Sequence, residues 1–181
     1  MSRKYIFHNP DGIYFVSFAT VYWVDVFVRE EYLILLSESL SYCRLQKGLE
    51  LFAYCILPSH VHLLFRDKNN NPSKLIKELK TYTSKKLQAL IAQHPQESRK
   101  EWLLWVFKQA GRKNSNVTSG QFWQQNNKPI ELWSNEVIQQ KIDYIHNNPV
   151  KSGFVAEPQH WKYSSAKNFA NEIGVIEIDI I

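Results

Sequence analysis

The chain is poor in the features that mark several large classes of protein. It has two cysteines, Cys43 and Cys55, in 181 residues, which is too few for a disulfide framework and favours reduced thiols in a core. No apolar run is long enough to span a membrane, and segment 1–10 lacks the apolar centre of a signal peptide. These absences predict a cytoplasmic protein without a membrane partner.

The net charge of +5 is concentrated in one stretch of the chain. Between Lys74 and Lys113 there are ten basic and three acidic residues, a net charge of +7, so the remainder carries −2. A basic segment in an otherwise mildly acidic domain is typical of a surface that contacts phosphate backbones. A solvated helix face has the same composition, and charge alone leaves both interpretations open.

Hydrophobic periodicity predicts the order strand, helix, strand, strand, helix, short strand, helix. Segments 12–22, 49–57 and 60–66 have the composition of strands, and the last two form an antiparallel hairpin because only two residues separate them. Leucines at helical spacing predict helices over 30–46 and from Pro72 onward. This order predicts an α+β fold, ferredoxin-like or RRM-like, with helices packed on one face of an antiparallel sheet.

The later part of the chain gives weaker signals. Segment 101–110 favours a short helix, 111–120 a loop and 121–125 a short strand. A last major helix is predicted from its N-cap Ser134 to Asn148, because a residue before proline avoids the helical region. The tail 175–181 alternates isoleucines with acidic residues, which predicts an added edge strand. No second domain or repeat is detectable, so residues 1–181 are treated as one domain.

Two histidines lie two residues apart in the second strand of the predicted hairpin. Because residues i and i+2 of a strand project from the same face, His60 and His62 can converge on one metal ion while Val61 points into a core. The same spacing occurs in strands whose histidines only make ordinary hydrogen bonds. The pair alone therefore leaves a metal site and a structural role open.

The last helix places three polar side chains on one side. Its apolar stripe consists of isoleucines at i, i+4 and i+7: Ile138, Ile142 and Ile145. At about 100° per residue, Tyr144 lies roughly 120° from that stripe, and Lys141 and Asn148 share its side because they lie one turn away. His146 points nearly opposite. An ordinary tyrosine with its hydroxyl in water is the alternative interpretation of Tyr144.

Four ordered segments carry a resemblance to a known family. They are Leu57-Pro58-Ser59-His60-Val61-His62-Leu63, Phe122-Trp123-Gln124, the stretch from Tyr144 to Lys151, and Trp161-Lys162-Tyr163-Ser164-Ser165. Together they resemble the single-tyrosine HUH transposases (IS200-like transposases), in particular the REP-associated tyrosine transposase branch. The resemblance covers roughly residues 10–170.

The resemblance implies roles for individual residues. The two metal-binding histidines of the family correspond to His60 and His62, and its catalytic tyrosine corresponds to Tyr144. The polar residue one helical turn later, a third metal ligand in relatives, corresponds to Asn148. Two imidazoles and an amide oxygen suit Mg²⁺ or Mn²⁺ with open positions for substrate oxygens, and Mn²⁺ tolerates imidazole better.

The implied activity is metal-dependent cleavage and strand transfer of single-stranded DNA. Tyr144 would attack the scissile phosphate, become a 5′-phosphotyrosine and release a 3′-hydroxyl, and a 3′-hydroxyl of another strand would then join to the phosphate. The covalent link retains the bond energy, so no glycine-rich phosphate loop is needed. A non-catalytic RRM-like nucleic-acid-binding module and a metal-dependent hydrolase that uses water are the alternatives.

The resemblance implies single-stranded DNA with a hairpin as the partner. The lysines expected to contact its backbone are Lys74, Lys77, Lys80, Lys85, Lys86 and Lys141. The aromatic residues that would stack on bases, although their helical spacing also fits a core, are Tyr82, Trp102, Trp105 and Trp123. Relatives include monomers and dimers with exchanged tyrosine helices, so a homodimer is left open.

Overall fold

A four-stranded antiparallel sheet forms the centre of the computed structural model, which describes residues 6–112 and 120–181. The strands are β1 (Ile13–Ala19), β2 (Leu49–Ile56), β3 (His60–Asp67) and β4 (Ile130–Leu132), in the order β2-β3-β1-β4. Each pairing in this order is antiparallel. The predicted α+β, ferredoxin-like fold class is confirmed.

Five α-helices connect or follow the strands in the described residues. They are α1 (Glu30–Gln46), α2 (Pro72–Gln93), α3 (Lys100–Arg112), α4 (Asn135–Lys151) and the short α5 (Ala166–Phe169). The side chain of Asn71 caps α2 by accepting a hydrogen bond from the Lys74 N–H, and Ser134 caps α4 by accepting from the Val137 N–H. Both caps agree with the start signals in the sequence.

Apolar cores cover both faces of the sheet. On one face, Val16, Val61 and Phe65 pack in a cluster with the buried residues of α1, α2 and α3. On the other face, Phe15 and Leu64 pack against the isoleucine stripe of α4. The sequence predicts helices on one face only, and this part of the prediction is wrong because α4 lies on the opposite face. A strand that is apolar on both sides does not reveal which helix covers which face.

Helix α4 continues past its predicted end at Asn148 and includes Pro149. Proline removes one N–H donor and disfavours the helical conformation of the residue before it. Here that cost falls in the last turn, where Ser152 N–H bonds to the Asn148 carbonyl at 3.0 Å. Asn148 therefore keeps helical geometry and stays in register with Tyr144.

The segment predicted as a strand over 121–125 makes only an isolated bridge between Trp123 and Thr20. Backbone hydrogen bonds join Val21 to Phe122 and Gln124 to Ala19, each at 2.8 Å. The chain resumes pairing as β4, which the sequence analysis missed because three residues are too few to display a period of two. Of the predicted loop 111–120, Gly111 and Arg112 belong to α3, and 113–119 lie outside the described residues.

The tail 175–181 runs beside β2 without forming the predicted edge strand. Asp179 N–H donates to the Leu51 carbonyl at 2.8 Å, but the Leu51 N–H donates to the Asp179 carboxylate at 2.9 Å. The Asp179 side chain thus accepts the Leu51 N–H, which in a β-ladder would donate to a backbone carbonyl of the neighbouring strand. The alternation reflects one buried anchor, Ile176, while Ile180 is 96% exposed.

No helix within 6–112 and 120–181 combines the length and the apolar character needed to cross a membrane. Cys43 and Cys55 are both free and buried, and burial raises the pKa of the Cys43 thiol to about 11. They pack as core residues, as the sequence indicates.

Candidate active site

Strand β3 presents His60 and His62 on the face that α4 covers. Val61, between them, belongs to the core of the opposite face, as strand alternation predicts. His62 lies opposite Ser17 of β1 and Cys55 of β2, so a neighbouring strand fixes it on either side. The two imidazole rings meet edge to face with centroids 4.9 Å apart.

Asn148 of α4 contacts both histidines from the helix that packs over this face of the sheet. Its Nδ2 lies 3.1 Å from Nε2 of His62, and its side chain also hydrogen-bonds to His60. A half-turn of the amide exchanges Nδ2 and Oδ1 without moving the group. An amide oxygen therefore fits at the point where both histidines converge.

The environment holds both histidines neutral. Burial, which is the largest cause, and repulsion from His60 and Lys141 together lower the pKa of His62 to about 3. Burial also lowers the pKa of His60, against the opposing effects of Asp25 and Asn148. A neutral imidazole has a free lone pair for coordination, and a protonated one does not.

Hydrogen bonds distinguish the two nitrogens of each ring. Ser59 Oγ lies 3.2 Å from Nδ1 of His60, so this nitrogen is occupied and Nε2 is the one left for a ligand bond. In His62 it is Nε2 that faces Asn148, and its buried Nδ1 has no hydrogen-bond partner among the residues described.

Two imidazoles and an amide oxygen form a donor set that fits a divalent cation. Within the described ranges no three residues of the types His, Cys, Asp or Glu are grouped to hold a metal; the candidate third donor is the Asn148 amide. This set leaves positions open for other oxygen ligands, and its nitrogen content favours Mn²⁺ over Mg²⁺. The ligand roles of His60, His62 and Asn148 stay predictions.

Tyr144 lies beside the histidines of its own chain. Its ring is 5.4 Å from that of His62 and 5.8 Å from that of Phe15, edge-on to both, and it is 41% exposed. Lys141 Nζ lies 5.0 Å from the Phe15 ring and 5.5 Å from the Tyr144 ring. The structure thus brings Lys141, Tyr144 and Asn148 together on one side of α4, as their spacing predicts.

His146 points away from this group into the protein. Its Nε2 is 2.8 Å from Ser165 Oγ, which accepts a hydrogen bond from the Tyr54 N–H at 2.9 Å. Burial lowers the pKa of His146 to about 4, although Asp143 opposes the shift. Neutral His146 therefore ties α4 to β2, and the segment 161–165 supports the site rather than entering it.

Four of the predicted DNA-contacting lysines lie exposed on α2: Lys74, Lys77, Lys85 and Lys86. Lys74 Nζ also lies 3.9 Å from the exposed Glu78 carboxylate. Lys80 differs, because its Nζ donates to the Gln124 carbonyl at 2.7 Å and to Asn127 Oδ1 at 2.5 Å. Burial lowers its pKa to about 8. The Lys80 ammonium is therefore committed to holding segment 124–127.

The aromatic residues singled out in the sequence divide in the same way. Tyr82, Trp102 and Trp105 are about half exposed and available for stacking. Trp123 is buried, and its indole N–H donates to Thr83 Oγ1 at 3.0 Å. Trp123 is thus a core residue, the alternative that the sequence left open.

Three neighbours of the histidines were missed by the sequence analysis. Phe15 stacks on His62 at 5.5 Å, Trp23 contacts His60 edge-on at 5.2 Å, and Ser59 bonds to His60. Ser59 could have been inferred from its place before His60. Trp23 lies beyond the end of β1 and reaches the site only through the pairing of β1 with β3.

Part of the chain that contains the two histidines matches a known protein family. A family model described as transposase, IS200-like, matches residues 12–107, more than half of the chain. The chain belongs to the IS200-like transposase family. The matched region runs from β1 into α3 and includes His60 and His62, whereas Tyr144 and Asn148 lie beyond it.

Two individual proteins resemble this family member. A curated Haemophilus influenzae protein, named as a candidate REP-associated tyrosine transposase, is 30% identical over 118 residues. That match covers 64% of this chain and 58% of the relative, so the chain aligns with little more than half of it. A solved structure of a REP-associated tyrosine transposase bound to a REP hairpin covers 99% of this chain and 91% of its own, with a TM-score of 0.60. At 17% identity it establishes the shared fold.

Proposed function

We propose that this protein is a transposase that nicks and joins single-stranded DNA through a covalent bond to Tyr144. The observation that carries the proposal is a single cluster: the Tyr144 ring lies 5.4 Å from His62, and His62 Nε2 lies 3.1 Å from the Asn148 amide. A structural role for these residues would not require two neutral histidines, of which His62 is buried, next to an exposed tyrosine. Membership of the transposase family supports the same activity.

The histidines and Asn148 would hold Mg²⁺ or Mn²⁺ through the two Nε2 atoms and Oδ1. A divalent ion bound there supplies a Lewis acid for the scissile phosphate. The protein's own contribution is to keep both imidazoles unprotonated and to fix their orientation, through Ser59 for His60 and through stacking on Phe15 for His62. Lys141, beside Tyr144, adds a positive charge where the phosphate would lie.

In the cleavage step, Tyr144 Oη forms a bond to phosphorus while the bond from phosphorus to the 3′ oxygen breaks. The tyrosine proton leaves to solvent, and the departing 3′ oxygen takes up a proton to become a hydroxyl. In the joining step a 3′-hydroxyl attacks the phosphotyrosine, and Tyr144 Oη leaves and regains its proton. The second step reverses the bond changes of the first, so no nucleotide cofactor is consumed.

The DNA partner is proposed to combine a hairpin with adjoining single strand. One relative of the same fold is described as bound to a REP hairpin. In this chain, the exposed lysines of α2 form a positive surface suited to a duplex backbone. Because Tyr144 lies next to the histidines of its own chain, we propose that one copy contains a complete site.

The test is to incubate the protein with single-stranded hairpin oligonucleotides from its flanking genome, with Mg²⁺ or Mn²⁺, and to look for a protein–DNA adduct on a denaturing gel. Wild type should form an adduct that chelation prevents. Tyr144→Phe should bind DNA normally and form none, because the ring is kept and only the nucleophilic hydroxyl is lost. Tyr42→Phe, an exposed tyrosine on α1, is the matched control and should react like wild type.

Other outcomes separate the competing functions. Cleavage without an adduct would indicate a hydrolase that uses water. DNA binding without cleavage under either metal would indicate a non-catalytic binding module. Normal cleavage by Tyr144→Phe would refute the assignment of the nucleophile.

A further inference from the structure

Two consecutive aromatic residues beyond β1 have an unusual backbone. Tyr22 and Trp23 have φ angles of +55° and +57°, in the left-handed region that costs a residue with a side chain roughly 1–2 kcal/mol. Both side chains are more than half exposed, at 56% and 54%. The fold therefore strains its backbone in order to hold two large aromatic side chains at the surface, which is typical of a functional constraint.

The strained turn is firmly anchored at both ends. Thr20 N–H donates to the Ser59 carbonyl at 2.9 Å, and the N–H groups of Val26 and Phe27 donate to the Pro58 carbonyl at 2.9 and 2.8 Å. Thr20 Oγ1 also donates to the Val24 carbonyl at 2.7 Å. The exposed rings thus project from a rigid support, so their placement is not an effect of a loose loop.

The support of this turn is the pair Pro58 and Ser59, which directly precedes His60. Trp23 lies next to His60, with ring centroids 5.2 Å apart. Ring contacts then run in the order Trp23, His60, His62, Tyr144. Trp23 is therefore at the end of the site remote from the nucleophile, with the candidate metal ligands between them.

This placement has a chemical meaning for in-line displacement. The attacking Tyr144 oxygen and the leaving 3′ oxygen lie on opposite sides of the phosphorus, so the leaving nucleotide extends toward the end of the site where Trp23 lies. Asp25 is exposed at this end, and the Arg99 guanidinium donates to its backbone carbonyl at 2.7 Å, so charges of both signs lie there and neither sign dominates. An uncharged base plane fits there, and indole rings stack on bases of any sequence.

We propose that Trp23 is a stacking platform for the base of the nucleotide that carries the leaving 3′ oxygen, immediately 5′ of the cleaved bond. This inference rests on the proposed function, since it assumes cleavage at Tyr144. It assigns to Trp23 a role in positioning the substrate.

The test is a binding cycle in the Tyr144→Phe protein, which cannot cleave. Affinity is measured by fluorescence anisotropy with the oligonucleotide identified by adduct formation, intact or with one abasic position at a time. Removing the base 5′ of the cleavage point should weaken binding about 5- to 150-fold, the range of one base–aromatic stack. Trp23→Gly should weaken binding of intact DNA to the same extent. Its affinity should not fall further when the base 5′ of the cleavage point is also removed.

Trp23→Gly also separates recognition from folding, because glycine adopts a positive φ without the steric cost of a side chain. Its stability should equal or exceed that of the parent. Trp23→Phe should keep most of the affinity, and Trp133→Ala should keep all of it, since Trp133 is 81% exposed after β4 at the other end of β1.

The two proposals fail in distinguishable ways. Suppose that wild type forms adducts but the affinity losses from Trp23→Gly and from base removal add up at every abasic position. The stacking role is then wrong and the nicking activity stands. Coupling to a base 3′ of the cleavage point would also overturn it. If no adduct forms with any oligonucleotide, the proposed function itself fails.

Discussion

Lys77 and Lys80 lie three residues apart on α2 and have different surroundings. Lys77 is exposed, whereas Lys80 is tucked against Gln124 and Asn127 with its ammonium over the Phe18 ring at 5.5 Å. An ammonium that already has two protein acceptors makes no phosphate contact, so it releases no counterion when the protein binds DNA. The two lysines should therefore affect different properties of the protein.

Lys77→Gln should leave stability unchanged and reduce the salt dependence of DNA binding by about 0.9 in the slope of log K against log salt, the value for one phosphate contact with duplex DNA. Lys80→Gln should leave that slope unchanged and lower the free energy of unfolding by about 1–2 kcal/mol, because the shorter amide leaves acceptors unpaired. Salt titrations and urea unfolding of both variants measure this. Equal effects of the two substitutions on the slope would show that Lys80 reaches DNA.

At the scale of elements, Glu97 joins the start of α1 to the connection between α2 and α3. Its carboxylate accepts from Arg29 at 2.9 Å, from Arg99 at 3.2 Å and from the Tyr32 hydroxyl at 3.2 Å. Burial alone would raise the pKa of Glu97, but the hydrogen bonds of Arg99 and Arg29 outweigh it and lower the pKa to about 2. The ionised carboxylate therefore stabilises the folded state.

This pKa gives stability a defined pH dependence. The contribution of Glu97 is fully present above its ordinary pKa of 4.5 and is lost as the pH falls toward 2. Glu97→Gln should lower the free energy of unfolding near pH 6 by on the order of 2–3 kcal/mol and flatten its decline between pH 4.5 and 2. Urea unfolding across that range, with exposed Glu101→Gln of α3 as the control, measures it. A decline as steep as that of the control would contradict the assignment.

The elements differ in how far their sequence determines them. Helix α2 could be predicted from Asn71, Pro72 and a leucine stripe, because local signals decide a long amphipathic helix. β4 could not, since its three residues are held by pairing with β1 rather than by their own pattern. The same limit applies to the tail, where the contact of Asp179 with Leu51 replaces the ladder that alternation predicts.

For the candidate site, helical and strand periods grouped the residues within each pair, and the family resemblance joined the two pairs into one predicted site. The i and i+2 rule placed His60 and His62 on one face, and the i, i+4 rule aligned Tyr144 with Asn148. The two pairs meet because α4 covers the face of β3 opposite α1–α3. This is a property of the tertiary packing and not of any local pattern. The neutral state of the histidines and the place of Trp23 depend on burial and register, which no local pattern records.

At the scale of the whole molecule, the arrangement of Tyr144 and the histidines within one chain makes a prediction about mixtures. Tyr144→Phe lacks the nucleophile and His60→Ala lacks a candidate ligand, and each should form no adduct. If one chain holds a complete site, a preincubated mixture of the two should also form none. Partners that exchange α4 would regenerate intact sites, so recovered adduct in the mixture would establish a shared active site. Wild type diluted into either variant controls for inhibition.

The connection Pro58–Ser59 has a consequence for how such a protein can change over evolutionary time. Its carbonyls hold the turn that carries Trp23, and the Ser59 hydroxyl orients His60. On the proposed function, a substitution there would disturb substrate positioning and bond cleavage together, so neither property can change alone at this point. The lysines of α2 are separate side chains on an open helix face, and single exchanges there could retune DNA affinity while the chemistry stays constant.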